Sequence, residues 1–485
     1  MNREIPGYYY DNEKKKYFKI EKTHTAPSSA AWSSDAVKRR KVEHEAQKLA
    51  ERQAHQVKKH IKRHFVARDA VTSALLTREI GLPYVAERGR GRVEDEDLGA
   101  AAWARSSVAK GNVPFAPSFA RERRANMPCF YVSGDDEKTG LGASYATLDE
   151  ETLVGSYIPT DENYEIHFSR EAPSSSGRTL SFRTEAVRCP QMSSIKYHQA
   201  SHTILLTSRE PDNTCGIYFF SPRLSNHRDP NCPQWLLGES ILYQRVAVPH
   251  EGRGEWMIHN STPAPSSSDL ICVASSNRGL LRMHSEGSVS VVAPRAAQVG
   301  MQLPQETFAQ DFQEGNHNVV FTGGRQPRLW ITDLRAPEPQ WSFANHASSI
   351  SHIKSVNPHQ VLASGLKSSM ALYDVRYLTS DPRGTKPLLY FNGHRNEAHF
   401  HIGWDVSPEL NVVAAAQDSG TIKLFSLKSG CQLRCSAIET IHVDSPVKAL
   451  MFQRMPRERM PSLFVGEGPL LRKFSFGIRE WGDEA

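Results

Sequence analysis

Three histidines stand close together late in the chain: His394, His399 and His401. An imidazole can ligate a metal or carry a proton near neutral pH. On a strand, His399 and His401 would share one face at the two-residue period. The rest of a metal or catalytic set is missing. The seven cysteines, Cys129, Cys189, Cys215, Cys232, Cys272, Cys431 and Cys435, are scattered and include no Cys-x-x-Cys pair, which supports neither a zinc site nor a disulfide scaffold. The chain has no Gly-x-Gly-x-x-Gly ahead of a helix, no phosphate loop with Gly-Lys-Ser/Thr and no His-Glu-x-x-His. Gly323-Gly324 reads as a strand turn rather than a phosphate cradle. No catalytic residue, cofactor or metal is expected, and the histidines read as loop braces and surface groups.

Charged anchoring is the other chemistry on offer. Asp333 and Arg335 close one segment, VVFTGGRQPRLWITDLR, and Asp374 and Arg376 close another, QVLASGLKSSMALYDVR. Each Asp can be satisfied locally. Each Arg follows two residues later, at a strand end, placed to face outward. Guanidinium forks on neighbouring units are strong anchors for carboxylates and carbonyls of a partner, and Arg is enriched at interface hot spots. The competing reading is that each Arg simply pairs within its own unit.

The elements that position these residues repeat. Each segment is an apolar strand, a small-residue turn, a second apolar strand with an aromatic (Trp330, Tyr373), then Asp-x-Arg. The two Asp residues lie 41 positions apart. That is the period of a WD-repeat propeller, one four-stranded blade per 40 to 45 residues. The same order recurs, less clearly, from 127 to 477. The expected fold is all-β, a seven-bladed WD40 β-propeller with a basic, partly helical N-terminal extension. The first blade is expected to end near Thr160. The second would hold FRTEAVRCP, SSIKYH, HTILLTS and GIYFFSP, with an insertion over 221–254. The sixth contains Gly393-His394 on its incoming loop and Asp418 in a turn; His394 and Asp418 are expected to brace that blade. Closure requires one more strand, from just before residue 130 or from the C-terminal FGIREWG.

The remaining segments are polar. Residues 1–20 carry an aromatic motif, PGYYYDNEKKKYF, read as a small hairpin. A linker and basic helix occupy 21–80, with a thin apolar stripe at Ala50, Ala54, Val57, Ile61 and Phe65. A flexible linker is expected over 81–126 and a tail over 478–485. Lys38–Arg68 holds eleven Lys or Arg against three Glu, so the formal charge of +6 is concentrated there. Such a helix serves as a solvated rod, a partner helix, a nuclear-import signal or a nucleic-acid contact; the absence of interleaved aromatics makes nucleic acid the weaker candidate partner. No signal peptide or membrane span is visible, which leaves nucleus or cytoplasm and no membrane partner.

The repeats ending Asp333-Leu334-Arg335 and Asp374-Val375-Arg376 resemble the paired box of WD-repeat substrate receptors of the cullin-four ubiquitin ligase. The Pro6-Gly7 aromatic motif, the Gly393-His394 and Asn396-Glu397 pairs, and Gln417-Asp418 with Ile422-Lys423-Leu424-Phe425 also match that family. The resemblance covers about residues 5–68 and 127–476. It implies that Arg335 and Arg376 contact the large damaged-DNA-binding adaptor, that Asp333 and Asp374 support them, and that other loops recruit an unknown target protein. Three departures stand out. Ile331 and Thr332 separate Trp330 from Asp333, and Tyr373 replaces the usual Trp. The sixth blade ends Phe425-Ser426-Leu427 with no Asp-x-Arg. The extra spacing is expected to turn Arg335 away, so that Arg376 is the firmer contact. The alternative function is a nuclear WD-repeat scaffold in RNA or chromatin complexes, with the basic helix on nucleic acid.

Overall fold

The structure is a computed structural model; it describes residues 91–114 and, with internal omissions, 127–477, together with short stretches within 8–48. The basic helix beyond residue 48, the insertion over 221–254 and the tail over 478–485 lie outside the described residues.

The chain divides into two units, 1–91 and 92–485. In the first, Tyr8–Asp11 pairs antiparallel with Lys16–Lys19, matching Tyr9 to Phe18 and Tyr10 to Tyr17. This is the expected aromatic hairpin, in which rings opposite one another stabilise the ladder.

The second unit is an all-β propeller. Among its described residues are six four-stranded antiparallel sheets, and each follows the chain order outward except the last. They span 130–188, 258–291, 307–345, 350–390, 404–433 and 450–476, the last completed by Ser107–Pro114. A three-stranded sheet, Met192–His198, Thr203–Ser208 and Ile217–Phe220, lies between the first two in sequence. The first strands of the sheets converge on one another. The Ser355 N–H donates to Asp311 Oδ2 at 2.8 Å and the Phe452 N–H to Asp405 Oδ2 at 2.6 Å. The Ser261 N–H donates to Ser194 Oγ at 3.2 Å, and the Thr262 hydroxyl to the Gln310 carbonyl at 2.9 Å.

Packing is sheet against sheet. Val320, Trp330 and Trp341 meet Val273 and Leu280 of the preceding sheet. Phe321 and Leu329 meet Ile350, Val361 and Tyr373 of the following one. Alternation along each strand sends successive side chains to these two interfaces, so the strands read as continuous apolar runs, as in sheets covered on both faces. Close approach explains two glycines 41 residues apart. A Cβ on Gly324 would stand 1.9 Å from the Glu306 carbonyl oxygen, and one on Gly365 would stand 1.9 Å from that of Ser349. Gly323 and Gly324 end a strand, Asn316–Gly324, rather than forming a turn.

Two expectations need correction. The segment 81–126 contains a helix, Gly91–Ser106, followed directly by the strand Ser107–Pro114. That strand pairs with Leu470–Phe476, setting Val113 opposite Leu471 and Val108 opposite Ser475. It supplies the closing strand, from before residue 130. Ala100, Trp103 and Ala104, at helical spacing, are buried against Leu463, Val465 and Phe474. The Ser107 hydroxyl donates to the Trp103 carbonyl at 2.7 Å, fixing the helix-to-strand corner. The second correction concerns FRTEAVRCP. Its strand, Glu185–Arg188, pairs with Thr152–Tyr157 and is the outermost strand of the 130–188 sheet, not part of the next unit. Residue 160 therefore does not end the first sheet.

Candidate functional site

In the 307–345 sheet Val319 pairs with Asp333 and Val320 with Thr332; in the 350–390 sheet Gln360 pairs with Asp374 and Val361 with Tyr373. Asp333 and Asp374 thus hold the same register position, and Thr332 stands where Tyr373 does. Ile331 and Thr332 are not an insertion. Trp330 lies two residues earlier on the same strand and fills the interface with the preceding sheet.

The two boxes have nearly the same geometry. Asp333 Oδ1 accepts the Arg335 N–H and Nε, each at 3.0 Å, and Arg335 Nη2 closes a second bond on Oδ2. Asp374 Oδ1 accepts the Arg376 N–H and Nε, each at 3.0 Å, and Oδ2 accepts Nη2 at 2.7 Å. Asp374 also caps the single 3-10 turn Val375–Tyr377. The guanidinium of Arg376 holds the Asp374 carboxyl down at about 2, and Arg335 lowers Asp333 in the same way. Both residues are ionised at neutral pH. Each Arg side chain is nonetheless mostly exposed, 68% for Arg335 and 56% for Arg376. Pairing within the unit and facing outward are therefore compatible: the Asp grips one edge of the guanidinium and holds the fork still. The expectation that Arg335 is turned away does not hold.

Arg376 also lies 5.6 Å above the ring of Tyr377, a residue that is 72% exposed. Leu388, just before the outer strand Leu389–Tyr390 of that sheet, and Tyr390 within it are exposed as well. An ordered Arg beside an exposed tyrosine has the composition of an interface hot spot. Tyr377 was not singled out from the sequence; an aromatic directly after Asp-x-Arg was the available signal.

Strand polarity fixes which face carries the boxes. Both Arg residues leave at the end where first strands finish and second strands begin, as Gln313 opposite Asn316 shows. First strands begin at the other end, where Thr307 stands opposite Gly324.

His394, Asp418 and Tyr373 each take part in hydrogen bonds between segments. His394 is buried, its Nε2 is 3.3 Å from the Ser364 hydroxyl of the preceding sheet and its Nδ1 is 3.5 Å from Gln417 Nε2. Asp418 Oδ2 accepts the Glu397 N–H at 2.7 Å, tying the turn to the incoming loop. Tyr373 is buried and its hydroxyl is 2.7 Å from His346 Nδ1. His399 and His401 do not share a strand face, because the strand begins only at Trp404. His399 is half exposed, 3.8 Å from Asp418, while burial presses His401 down to about 2. Among the described residues no group of three or more His, Cys, Asp or Glu comes together, and no helix is long and apolar enough to cross a membrane.

A 118-residue stretch is 27% identical to WD repeat-containing protein 21 of Schizosaccharomyces pombe. The likeness is to a WD-repeat protein. It covers 24% of this chain and 27% of that relative, so the chain spans about a quarter of the relative's length. No protein-family model matches. Among solved structures, the WD40 β-propeller domain of Doa1 is 10% identical, with a TM-score of 0.47, over 79% of this chain and all of that one. The computationally designed Ika8 protein is 12% identical, with a TM-score of 0.43, over 74% of this chain and 98% of that one.

Proposed function

We propose that this chain is a non-catalytic substrate receptor that bridges a target protein to the cullin-four ubiquitin ligase through the large damaged-DNA-binding adaptor. The observation that carries this reading is the matched pair Arg335 and Arg376. They stand on consecutive sheets, at the same register position and face, each held by its own Asp and each exposed. A guanidinium immobilised in advance loses less freedom on binding than one free to rotate. Tyr377 would extend the contact beside Arg376. The adaptor would then occupy this face and leave the opposite face for the target.

The proposed disc has seven blades, the three-stranded sheet being one of them. Apolar clusters on both of its sides support this. One joins Leu153 to Ile195 and Leu206, and another joins Leu205 and Ile217 to Ile258 and Leu281. A further cluster links Phe130 and Val154 to Phe464 and Leu471, bringing the last sheet to the first. Nuclear placement would come from the basic clusters at 38–41 and 58–63, and replacing their Lys and Arg by Ser in a tagged copy should abolish nuclear entry.

Affinity purification of the intact protein tests the reading. The wild-type chain should bring down adaptor and cullin. Arg335→Ala with Arg376→Ala should bring down neither, while melting at the wild-type temperature. A variant pair that folds normally and retains the adaptor would overturn the assignment.

A further inference from the structure

The Gly393-His394 pair on the loop entering the 404–433 sheet is preceded by asparagine, and Asn392-Gly393 is the one Asn-Gly pair in the chain. The chain is anchored on both sides of it. Phe391 is buried and meets the Phe425 ring edge-on at 6.2 Å. His394 is buried between Ser364 and Gln417. Between these anchors the chain comes out to solvent. Asn392 and Gly393 are both exposed, in a turn that the His394 N–H closes on the Phe391 carbonyl at 3.5 Å. Gly393 has a φ of 96°, a left-handed conformation that glycine adopts without strain. Its carbonyl accepts Lys423 Nζ at 2.8 Å. Among the described residues neither the Asn392 side chain nor the Gly393 N–H has a hydrogen-bond partner.

These features suit an intramolecular reaction. The Gly393 nitrogen stands one peptide bond from the Asn392 side chain, at the spacing that closes a five-membered ring, so no encounter between separate reactants is needed. Glycine has no Cβ to shield that nitrogen. The nitrogen gives its proton to water and bonds to Asn392 Cγ. The Cγ–Nδ2 bond breaks, and ammonia leaves with a proton taken from water. Water then adds to one of the carbonyl carbons of the cyclic imide. Opening at Cγ yields aspartate. Opening at the backbone carbon yields isoaspartate, whose chain runs through Cβ and is one methylene longer. An amide is exchanged for a carboxylate with no change of oxidation state.

We propose that Asn392 is a site of spontaneous deamidation in the folded protein, and that the isoaspartate formed there loosens the brace between the 350–390 and 404–433 sheets. The added methylene falls between two buried rings whose spacing the turn sets. Phe391 belongs to the cluster of Leu362, Leu372, Val413 and Phe425, and His394 reaches back to Ser364. Neither can follow a lengthened turn and keep its contacts. Asn396 is the comparison within the same loop. It is buried and followed by Glu397, its Nδ2 donates to the His399 carbonyl at 2.8 Å, and its Oδ1 accepts the His399 N–H at 2.9 Å. Asn392 lies in the connection from Leu389–Tyr390 to Trp404–Ser407, at the end where first strands begin. It shares no residue with the Asp-x-Arg boxes and does not depend on the adaptor reading.

The test ages the full chain at mildly alkaline pH and maps its peptides by mass spectrometry. Asn392 should be converted at a rate within about tenfold of that in a free peptide of residues 386–400, because the exposed turn adds little to the barrier. Asn396 should stay intact in the chain. An isoaspartyl methyltransferase with S-adenosylmethionine, which esterifies the free α-carboxylate, should label the converted peptide. The urea midpoint of the aged chain should fall as conversion proceeds. Asn392→Gln, whose longer side chain closes a ring poorly, should age with neither label nor loss. Asn392→Asp, unaged, should keep the wild-type midpoint, because it adds the charge without the methylene. Slower conversion than that range, equal conversion of Asn396, or an unchanged midpoint after full conversion would each overturn the proposal. So would a fall in Asn392→Asp as large as that of the aged chain. None of these outcomes is altered by failure of adaptor capture, so the two readings fail separately.

Discussion

Trp103→Ala should open the propeller at its seam. The indole is 2% exposed and sits on the helix Gly91–Ser106, 5.7 Å from the ring of Phe452, in the cluster that also holds Leu463, Val465 and Phe474. A tryptophan buries roughly 150–250 Å², about 4–6 kcal/mol at the usual 25 cal/mol per Å². Mutational series for Phe or Trp to Ala give about 3–5 kcal/mol, because the site relaxes only in part. Against a total stability of roughly 5–15 kcal/mol that loss is severe. The loss should also be local, because Trp103 anchors the helix whose continuation is the closing strand. Trp103→Phe separates the components. Trp103 Nε1 is buried without a partner, so Phe removes an unsatisfied donor along with some area and should cost about 1–2 kcal/mol. Urea unfolding of the full chain supplies the numbers. Hydrogen exchange at Leu470–Phe476 shows where the loss falls, since that strand would lose its partner Ser107–Pro114. A loss below about 1 kcal/mol for Trp103→Ala, or exchange unchanged along Leu470–Phe476, would refute the view that this helix holds the seam.

Other consequences can be measured directly. Arg335→Ala and Arg376→Ala, being held alike, should each weaken adaptor binding at least about tenfold in a titration; an effect confined to Arg376 would contradict their equivalence. Gly324→Ala and Gly365→Ala should each destabilise by about 2 kcal/mol or more in urea, because backbone carbonyls block the Cβ, whereas Gly99→Ala, with nothing within 4 Å on its helix, should stabilise by about 0.5–1 kcal/mol. Stability should fall as pH drops from about 6.5 towards 4. His346 and His394 are each pressed down to about 4 by burial, so the unfolded chain takes up protons first, and stability present above 6.5 is lost through that window. Replacing both by Phe should make the fall in urea midpoint between pH 6.5 and 5 shallower, the remainder coming from His259, His352 and His401, which burial presses down in the same way.

The repeat was legible because two successive sheets keep one template, with Gly324, Asp333 and Arg335 recurring 41 residues on as Gly365, Asp374 and Arg376. The register was not. Trp330 looked like the residue that precedes Asp in a WD pair, while Thr332 holds that position, and only strand pairing reveals it. Ser107–Pro114 escaped notice because SVAKGNVP has little strand propensity of its own; Leu470–Phe476 supplies the ladder that makes it a strand. Glu185–Arg188 was misassigned because a long polar stretch separates it from its partner, and chain proximity favoured the wrong sheet. The contacts among the His259, Phe308, Phe400 and His401 rings have no sequence signature at all, since closure of the propeller gathers them from residues up to 142 positions apart. Both Arg side chains could be read as self-paired or outward, and the geometry makes them both.

The seam has a consequence for how the chain is made. Ser107–Pro114 leaves the ribosome early, but its partner Leu470–Phe476 follows only about 360 residues later. At roughly 5–20 residues per second, the first strand waits about 20–70 s before it can pair. Through that interval the 130–188 sheet lacks the Phe464 and Leu471 side of its apolar cluster, and each newly made sheet presents an uncovered face to solvent. The ring can therefore close only after Leu470–Phe476 has been made. Holding Trp103 and the nascent apolar faces apart until then is work for a chaperone that releases the chain late.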